Sequence, residues 1–456
     1  PGYAFPATQG DALLDQIHAY FKRREPVVLQ PVAAKYATER LTSLYQVGRR
    51  GKLSLLDLEQ AAACHFPSGT GLGFPVVSSD SEKFLYEVYK ISEEIHNSGY
   101  DLRWVCELPA ILGKRGQPRG VPSLVGTPYA KTRVIYAMPR ALMNVEKRIQ
   151  YPLQGVLSER EEFSAWVGRP RVAKAVTRML ALKDRDFLSV DFKSFDVSVP
   201  NAVLDIVFGV VKGWFTGESG AVIDFAKEVF CRTGILVPGS YFPGSDRTGG
   251  VPSGSVMTNL IDSLVNLWVV HYASSLTGQR FDSALVQGDD GVYAFRGSLD
   301  LPALVQVVSS LGMTISAEKS MVARDCVHFL QDLHTKDRVV DDLNVGQRPW
   351  QHILNSAMSY ERVDGKPWNR VSDTVRWLQQ WTEGLYHPSF SAACDWLYES
   401  DYMCRDVIGR IRSGDIGFLY PTLSNVNRKD SNAFKYRLTP ESFLSSTVIT
   451  HLIAGV

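Results

Sequence analysis

Two adjacent aspartates, Asp289 and Asp290, stand between short apolar runs in Ala284-Leu-Val-Gln-Gly-Asp-Asp-Gly-Val-Tyr-Ala-Phe295. Gly288-Asp289-Asp290-Gly291 has the composition of a tight strand reversal, with Ala284 to Gln287 and Val292 to Phe295 as its arms. Side-by-side carboxylates repel each other, and a divalent cation shared with other oxygen ligands relieves that repulsion. An Asp-rich turn without chemistry has the same composition, so the rest of the chain decides between the two.

Asp191 and Asp196 form an Asp-x4-Asp pair at the end of a strand candidate, Phe187 to Phe192. If that strand neighbours the hairpin, Asp191 and Asp289 together supply the carboxylates for two magnesium ions about 3.5 to 4 Å apart, the arrangement for in-line phosphoryl transfer. Magnesium suits it, because that ion keeps few protein ligands and takes the rest from water and phosphate. A third piece lies between them. Ser253-Gly254, Thr258 and Asp262 fall at Ser-Gly-x3-Thr-x3-Asp, which puts Thr258 and Asp262 one helical turn apart on a shared face. The preceding stretch, Gly234 to Gly254, holds six glycines and three prolines, and a Gly-rich loop feeding a helix N-terminus suits phosphate or sugar oxygens. Capping is the other reading of Thr258 and Asp262.

The elements that must position these residues follow from periodicity. Helical stretches are expected at Asp11 to Arg23, Ser54 to Cys64, 141 to 155, 172 to 183, about Ser255 to Ala273 and Leu301 to Leu311. Pro200 fits the first turn of another helix, in which Val203, Ile206, Val207, Val210 and Val211 recur at helical spacing. Asp300 is placed to cap the Leu301 helix and Gly312 to stop it. Beyond residue 335 the composition shifts to Trp-rich helices, Trp368 to Trp381 and Phe390 to Tyr398, as expected of a separate C-terminal subdomain.

At 456 residues the chain exceeds one ordinary core, and two or three subdomains are expected. Its 45% hydrophobic and 21% charged residues argue against a disordered or fibrous chain. A net charge of +1 says little about a polyanionic partner. Between Lys114 and Arg148, however, the basic residues Lys114, Arg115, Arg119, Lys131, Arg133, Arg140, Lys147 and Arg148 meet one acid, Glu146, and would make a positive stripe if they share a face. Six scattered cysteines without ligand spacing predict free thiols in a reducing compartment and argue against structural zinc. No apolar run reaches membrane length. No signal-peptide pattern is visible, and a start at Pro1 agrees with removal of an initiator or a longer leader.

The order Asp-x4-Asp, Ser-Gly-x3-Thr, Gly-Asp-Asp resembles the palm motifs of viral RNA-dependent RNA polymerases. Phe-Asp-Val-Ser-Val-Pro-Asn and Gly-Val-Pro-Ser-Gly-Ser-x2-Thr-Asn-Leu-Ile-Asp-Ser-Leu-Val-Asn are similar to those of small double-stranded RNA viruses, partitiviruses first and picobirnaviruses second. The motif resemblance spans roughly residues 67 to 332. It implies that Asp191 and Asp289, assisted by Asp290, are the metal ligands for two Mg2+ ions, with Mn2+ as a substitute. Asp196 would sense the ribose 2'-hydroxyl of the incoming nucleotide, with Ser253, Gly254 and Thr258 beside it. Lys131 and Arg133, in Lys-Thr-Arg-Val-Ile-Tyr, resemble the basic motif that grips the triphosphate; a solvated charge pair is the alternative. Lys319 matches the lysine that protonates departing pyrophosphate, with an exposed helix-end lysine as the alternative. The loop Pro67-Ser-Gly-Thr-Gly-Leu-Gly-Phe-Pro75, with Ser68, Thr70, Gly71, Phe74 and Pro75, is similar to the loop that guides the template. Phe329 and Leu330 resemble the hairpin that supports the primer end.

One departure stands out. Many related polymerases carry Asn where this chain has Asp262, and two carboxylates so placed repel unless one is protonated or turned away. The expectation is that Asp262 accepts from the 2'-hydroxyl or orients Asp196 through Ser253, with Asn266 as a possible substitute.

The fold implied is an α+β right-handed fingers-palm-thumb polymerase with an antiparallel palm sheet flanked by helices. Residues 1–185 would form the N-terminal region and fingers, 186–335 the palm with a fingers return at about 213–248, and 336–456 the thumb and C-terminal region. Implied partners are RNA template and product, nucleoside triphosphates and a viral capsid protein, in a virion interior and host cytoplasm. Two readings compete. A reverse transcriptase-like polymerase shares a palm but carries an aromatic residue ahead of the paired acids, where this chain has Gln287-Gly288. An RNA-binding virion protein with an inactive polymerase fold would be expected to have lost some of the acids.

Overall fold

A computed structural model of the chain describes residues 9–64, 73–76, 82–116, 132–358, 369–429 and 439–454. The strands among them are β1 (Ala110–Gly116), β2 (Thr132–Ala137), β3 (Arg185–Val190), β4 (Ile235–Val237), β5 (Ser240–Phe242), β6 (Phe281–Gln287), β7 (Asp290–Arg296), β8 (Met321–Ala323), β9 (Cys326–Phe329), β10 (Asp332–Val340) and β11 (Leu343–Gln347). They form three sheets, ordered β2-β1-β4-β5, β6-β7-β3-β8 and β11-β10-β9.

The β6-β7-β3-β8 sheet is antiparallel at every pairing, as expected of a palm. β3, β7 and the inner end of β6 are buried on both faces, and the side-chain alternation of a strand divides them between two cores. Leu188, Ala284, Val286, Tyr293 and Phe295 join the large core built around the Thr258–Thr277 and Leu301–Ser310 helices. Phe187, Leu285, Val292 and Ala294 point the other way, into a smaller core with Val172, Val176 and Met179 of the Arg169–Leu180 helix. That helix, on the fingers side of the anticipated 185/186 boundary, therefore covers the outer face of the palm sheet.

Residues 235–242, within the anticipated fingers return, join β1 and β2 in one sheet, with β4 parallel to β1. The N-terminal helices Gln9–Phe21 and Pro31–Thr42 belong to the large core through Ile17, Tyr20, Ala33, Ala37 and Leu41. The C-terminal helices Arg370–Trp381, Phe390–Ser400, Tyr402–Arg412 and Leu419–Lys429 enclose a core of their own, centred on Leu378, Cys394, Val407 and Leu423.

Helix ends fall where local chemistry puts them. Asp300 accepts from the Ala303 N–H at 3.0 Å, and Gly312 takes φ +75 two residues past the end at Ser310. Pro200 is the N-cap rather than a helical residue, so the helix runs Asn201–Trp214. The anticipated Ser255 start moves to Thr258, because Ser255 is occupied in a loop turn and accepts from the Met257 N–H at 3.0 Å.

The expected positive stripe does not form as one surface. In the Arg140–Leu157 helix, Arg140 and Lys147 are buried. Lys147 donates to the Cys64 carbonyl at 2.9 Å, and Arg148 Nε to the Leu56 carbonyl at 2.8 Å. Helical periodicity turns these cations inward, where they hold the segment that leads into the glycine-rich loop at residue 67. The six cysteines are all unpaired. Among the described residues no helix is long and apolar enough to cross a membrane.

Candidate active site

The paired acids lie at the tip of the β6–β7 hairpin. Gln287 pairs with Asp290, leaving Gly288 and Asp289 as a two-residue loop. Gly288 has φ +62, the left-handed value that a tight hairpin needs at its first loop position. The Thr258–Thr277 helix grips this turn. Ser263 Oγ accepts from the Gly288 N–H at 2.8 Å, and Asn266 Nδ2 donates to the carbonyls of Gly288, Asp289 and Asp290 at 3.0, 3.1 and 3.3 Å. The Tyr293 hydroxyl donates to Asn266 Oδ1 at 2.7 Å, which fixes the orientation of the amide. Asn266, fully buried, is thus engaged on the hairpin at both ends of its amide, on the turn backbone through Nδ2 and on the Tyr293 hydroxyl through Oδ1. It does not stand in for Asp262 as a nucleotide ligand, as expected from the sequence, but sets the position of the acids.

β3 brings Asp191 to the same edge. Val190, the last residue of β3, pairs with Gly291, so Asp191 leaves the sheet at the end where Asp290 begins β7. Beyond β3 the chain is fastened to the 314–320 loop. Ser320 Oγ accepts from the Asp191 N–H at 3.0 Å, the Ser316 N–H donates to the Asp191 carbonyl at 2.7 Å, and the Lys193 N–H donates to the Thr314 carbonyl at 2.8 Å. Lys319 is exposed in the turn closed by Ser316, nine residues beyond Ser310, so it is not a helix-end lysine. Its loop is bonded directly to the Asp191 backbone.

Asp196 sits in a short helical turn, Phe195–Ser198, and its Oδ2 accepts from the Ser253 hydroxyl. Its carbonyl accepts from the Val251 N–H at 2.6 Å. The loop that carries Ser253 is pressed against β2: the Tyr136 N–H donates to the Ser253 carbonyl at 2.8 Å, and a Cβ at Gly254 would lie 2.0 Å from the Tyr136 carbonyl oxygen. With φ +137 as well, position 254 admits only glycine. The Thr258 hydroxyl donates to the Pro252 carbonyl at 2.9 Å, closing the loop onto its helix.

Asp262 is 4% exposed, and its Oδ1 has no hydrogen-bond partner. Burial, then the neighbouring charges of Asp196 and Asp289, push its carboxyl well above the ordinary range. The expected conflict between two carboxylates is felt at Asp262, whose buried carboxyl is pushed toward its protonated form, and Ser253 reaches Asp196 without Asp262 as intermediary. A protonated Asp262 offers a donor where the sequence suggested an acceptor.

The other anticipated residues divide. Arg133 lies on β2, and Lys131 falls outside the described residues, as do Ser68, Thr70 and Gly71. Phe74 packs against the large core and Pro75 is exposed. Gly73 at their base has φ +73, and a Cβ there would lie 2.6 Å from the Met138 carbonyl oxygen. Phe329, at 2% exposure in the core under the palm, is an anchor and not a primer contact. Leu330 and Gln331, with φ +54 and +67, form the two-residue turn between β9 and β10 and are the more exposed part of that hairpin.

Asp191, Asp289 and Asp290 thus lie at one end of the palm sheet, and Asp289, after burial and Asp196, contributes to the upward push on Asp262. Among the described residues no group of three or more acidic, histidine or cysteine side chains is gathered closely enough to hold a metal ion by itself. An open, all-oxygen, negatively charged edge fits a hard divalent cation that completes its shell with water and phosphate.

The model of the viral RNA-dependent RNA polymerase family matches residues 129–387, more than half of the chain and inclusive of all these acids. This chain belongs to that family. Among curated relatives it is 27% identical over 299 residues to a potential RNA-dependent RNA polymerase of human picobirnavirus (strain Human/Thailand/Hy005102/-), covering 64% of this chain and 54% of the relative. It is 25% identical over 268 residues to the RNA-directed RNA polymerase of Cryptosporidium parvum virus 1 (strain KSU-1), covering 55% and 46%. The chain thus spans about half the length of the curated relatives it matches. The crystal structure of the RNA-dependent RNA polymerase of a human picobirnavirus superposes with a TM-score of 0.76 at 20% identity, covering 96% of this chain and 82% of that one. An insertion-loop deletion mutant of that polymerase gives 0.74. The picobirnavirus resemblance, placed second from sequence, is the one these relatives name directly.

Polymerases of this family use divalent metal ions. Sequence reasoning passed over several residues that build the site: Ser263 and Tyr293, and also Tyr20 and Arg24, which reach the Asp196 turn from the N-terminal region. A signal for Ser263 was present. Asn259, Asp262, Ser263 and Asn266 make a polar stripe at helical spacing in an otherwise apolar helix, and such a stripe inside a core must meet polar partners. No local pattern marks Tyr20.

Proposed function

We propose that the chain catalyses template-directed RNA synthesis, in which an RNA 3'-hydroxyl attacks the α-phosphate of a nucleoside triphosphate and pyrophosphate departs. The observation that carries this reading is the meeting of Asp191 with Asp289 and Asp290 at one edge of the palm sheet, with Asp196 and Ser253 bonded beside it, in a chain of the polymerase family. Asp191 and Asp289 would hold two Mg2+ ions, assisted by Asp290, with Mn2+ as a substitute. Bound there, the cations supply a lowered pKa for the attacking hydroxyl and neutralise charge on the leaving group.

The protein's own residues do the rest by positioning. Asp196 accepts from the ribose 2'-hydroxyl while Ser253 steadies its other oxygen. Lys319, on the loop bonded to Asp191, donates a proton to the departing pyrophosphate. Arg133 and Lys131 meet the triphosphate, Ser68 to Pro75 guide the template, and Leu330 supports the primer end. Template contacts made mainly to phosphates and 2'-hydroxyls would be tolerant of sequence and sensitive to salt. Gln287-Gly288 ahead of the paired acids disfavours a reverse transcriptase, and retention of every acid disfavours an inactive RNA-binding protein. A double-stranded RNA virus, with the enzyme associated with capsid protein in the virion and host cytoplasm, is the proposed setting.

The test is RNA synthesis by the purified chain on a single-stranded RNA template with Mg2+ and labelled nucleotides, beside Asp191→Ala and Asp289→Ala. Template-length product that disappears in both variants supports the reading. A wild type as silent as the variants, with primer and with Mn2+, overturns it.

A further inference from the structure

Tyr20 is remote from the palm in sequence, one residue before the end of the Gln9–Phe21 helix, yet it is 4% exposed and meets the site. Its ring stands edge-on to Tyr136 with centroids 5.3 Å apart, and its hydroxyl lies 3.3 Å from Ser253 Oγ. Counting protons fixes the direction of that contact. Ser253 has one hydroxyl hydrogen and donates it to Asp196 Oδ2, so the hydrogen shared with Tyr20 must come from Tyr20. The result is a directed chain, Tyr20 to Ser253 to Asp196, in which each donation polarises the next.

The surroundings hold this chain in place. Arg24 donates to the carbonyls of Val197 and Val199, the latter at 3.3 Å, and so grips the turn that carries Asp196. Gly250 has φ +87, and a Cβ there would lie 2.9 Å from Tyr20 Cδ1 and 3.1 Å from the Asp196 carbonyl oxygen. The Tyr20 ring, the Gly250 backbone and the Asp196 turn are therefore packed without room for a side chain between them.

We propose that Tyr20 is a positioning residue for ribose selection: through Ser253 it fixes the Asp196 carboxylate, so that Oδ2 is satisfied from the protein side and the other oxygen is presented to the 2'-hydroxyl. This inference rests on the reading of Asp196 as the ribose-sensing group. Without the tyrosine hydroxyl, Ser253 loses the donor that holds its oxygen, and its rotation releases Asp196.

Tyr20→Phe removes the hydroxyl and keeps the buried ring. In primer extension, kcat and KM are measured for a nucleoside triphosphate and its 2'-deoxy analogue. Tyr45→Phe serves as control, since that buried hydroxyl bonds the Gly51 carbonyl at 2.9 Å instead. Loss of one buried hydrogen bond corresponds to a roughly three- to tenfold fall in ribo-over-deoxy preference, seen as a rise in KM for the ribonucleotide and absent from Tyr45→Phe. In a Ser253→Ala background, Tyr20→Phe should have no further effect on that preference. An unchanged preference in Tyr20→Phe, an equal loss for both nucleotides, or additivity with Ser253→Ala overturns the inference while polymerase activity stands. A wild type that makes no RNA overturns the functional reading, and the inference with it.

Discussion

Burial, then the fields of Asp196 and Asp289, push the Asp262 carboxyl well above the ordinary range, and asparagine is the closest neutral mimic of its protonated form in shape and donor capacity. Asp262→Asn should therefore leave the nucleotide KM within about threefold of wild type, less than one strong buried hydrogen bond is worth, whereas Asp262→Ala should raise it further. Steady-state KM for both variants decides; a large loss in Asp262→Asn would mean that the charge is needed. Glu146 makes a second case. It is fully buried, accepts from Ser255 Oγ at 2.8 Å, and burial pushes its pKa up to about 7 from 4.5. Here the folded state binds the proton more tightly than the unfolded chain. Its stability contribution is full below pH 4.5, falls as pH rises through the interval, and levels off above about 7 at a cost of about 3 kcal/mol. Glu146→Gln should flatten that decline, raising the melting temperature at pH 8 relative to wild type and changing it little at pH 4.5. Equal melting shifts at both pH values would refute the assignment.

The hairpin and the Thr258–Thr277 helix act as one element, because the turn that carries the acids is bonded to Ser263 and Asn266 rather than held by its strands alone. Asn266→Ala would leave three turn carbonyls and the Tyr293 hydroxyl without that amide, at roughly 1 to 3 kcal/mol, and would loosen Asp289. The expected result is a kcat reduced about tenfold or more, since a small misplacement of catalytic groups is expensive in rate, with nucleotide KM less affected. A kcat near wild type would show that the strands alone fix the acids. This element also marks what the sequence could and could not disclose. The hairpin, β3 and the Leu301–Ser310 helix were legible because period, turn composition and caps are local properties. Asn266 was misread because its partners lie 22 to 27 residues away, and Lys147 and Arg148 because charge alone does not say which helix face is buried. Phe329 was misread for the same reason: motif position does not distinguish a side chain under a hairpin from one on it.

At the scale of the molecule, the joints of the palm to the N-terminal and to the C-terminal helices differ in kind. The N-terminal joint is apolar and hydrogen-bonded: Trp268 Nε1 donates to Thr38 Oγ1 at 3.1 Å, and the Gln30 N–H donates to the Tyr272 hydroxyl at 3.0 Å, within one continuous core. The C-terminal helices keep a separate core, and an alternating quartet of charges ties them to the palm. Arg169, at the start of the Arg169–Leu180 helix, bonds Asp332 at 3.2 Å and Glu383 at 2.5 Å. Arg348 bonds Asp332 at 2.9 Å and also Glu383, and donates to the Leu330 carbonyl at 2.9 Å. Glu383 follows the Arg370–Trp381 helix, so the quartet couples the C-terminal helices to the turn proposed to support the primer. Its members are 10 to 36% exposed, between the surface regime, where a pair is worth little, and the buried regime, where removing one partner strands the other. A double-mutant cycle on Arg169→Ala and Glu383→Ala should therefore give a coupling energy of about 1 to 2 kcal/mol, largest at low salt. Glu383→Ala should also shorten primer-extension products as salt is raised, because it leaves both guanidinium groups, of which Arg348 holds the Leu330 carbonyl, tied to Asp332 without their link to the C-terminal helices. Additive melting shifts in the cycle, or product lengths independent of Glu383 at every salt concentration, would show that the C-terminal helices are held by something other than this quartet.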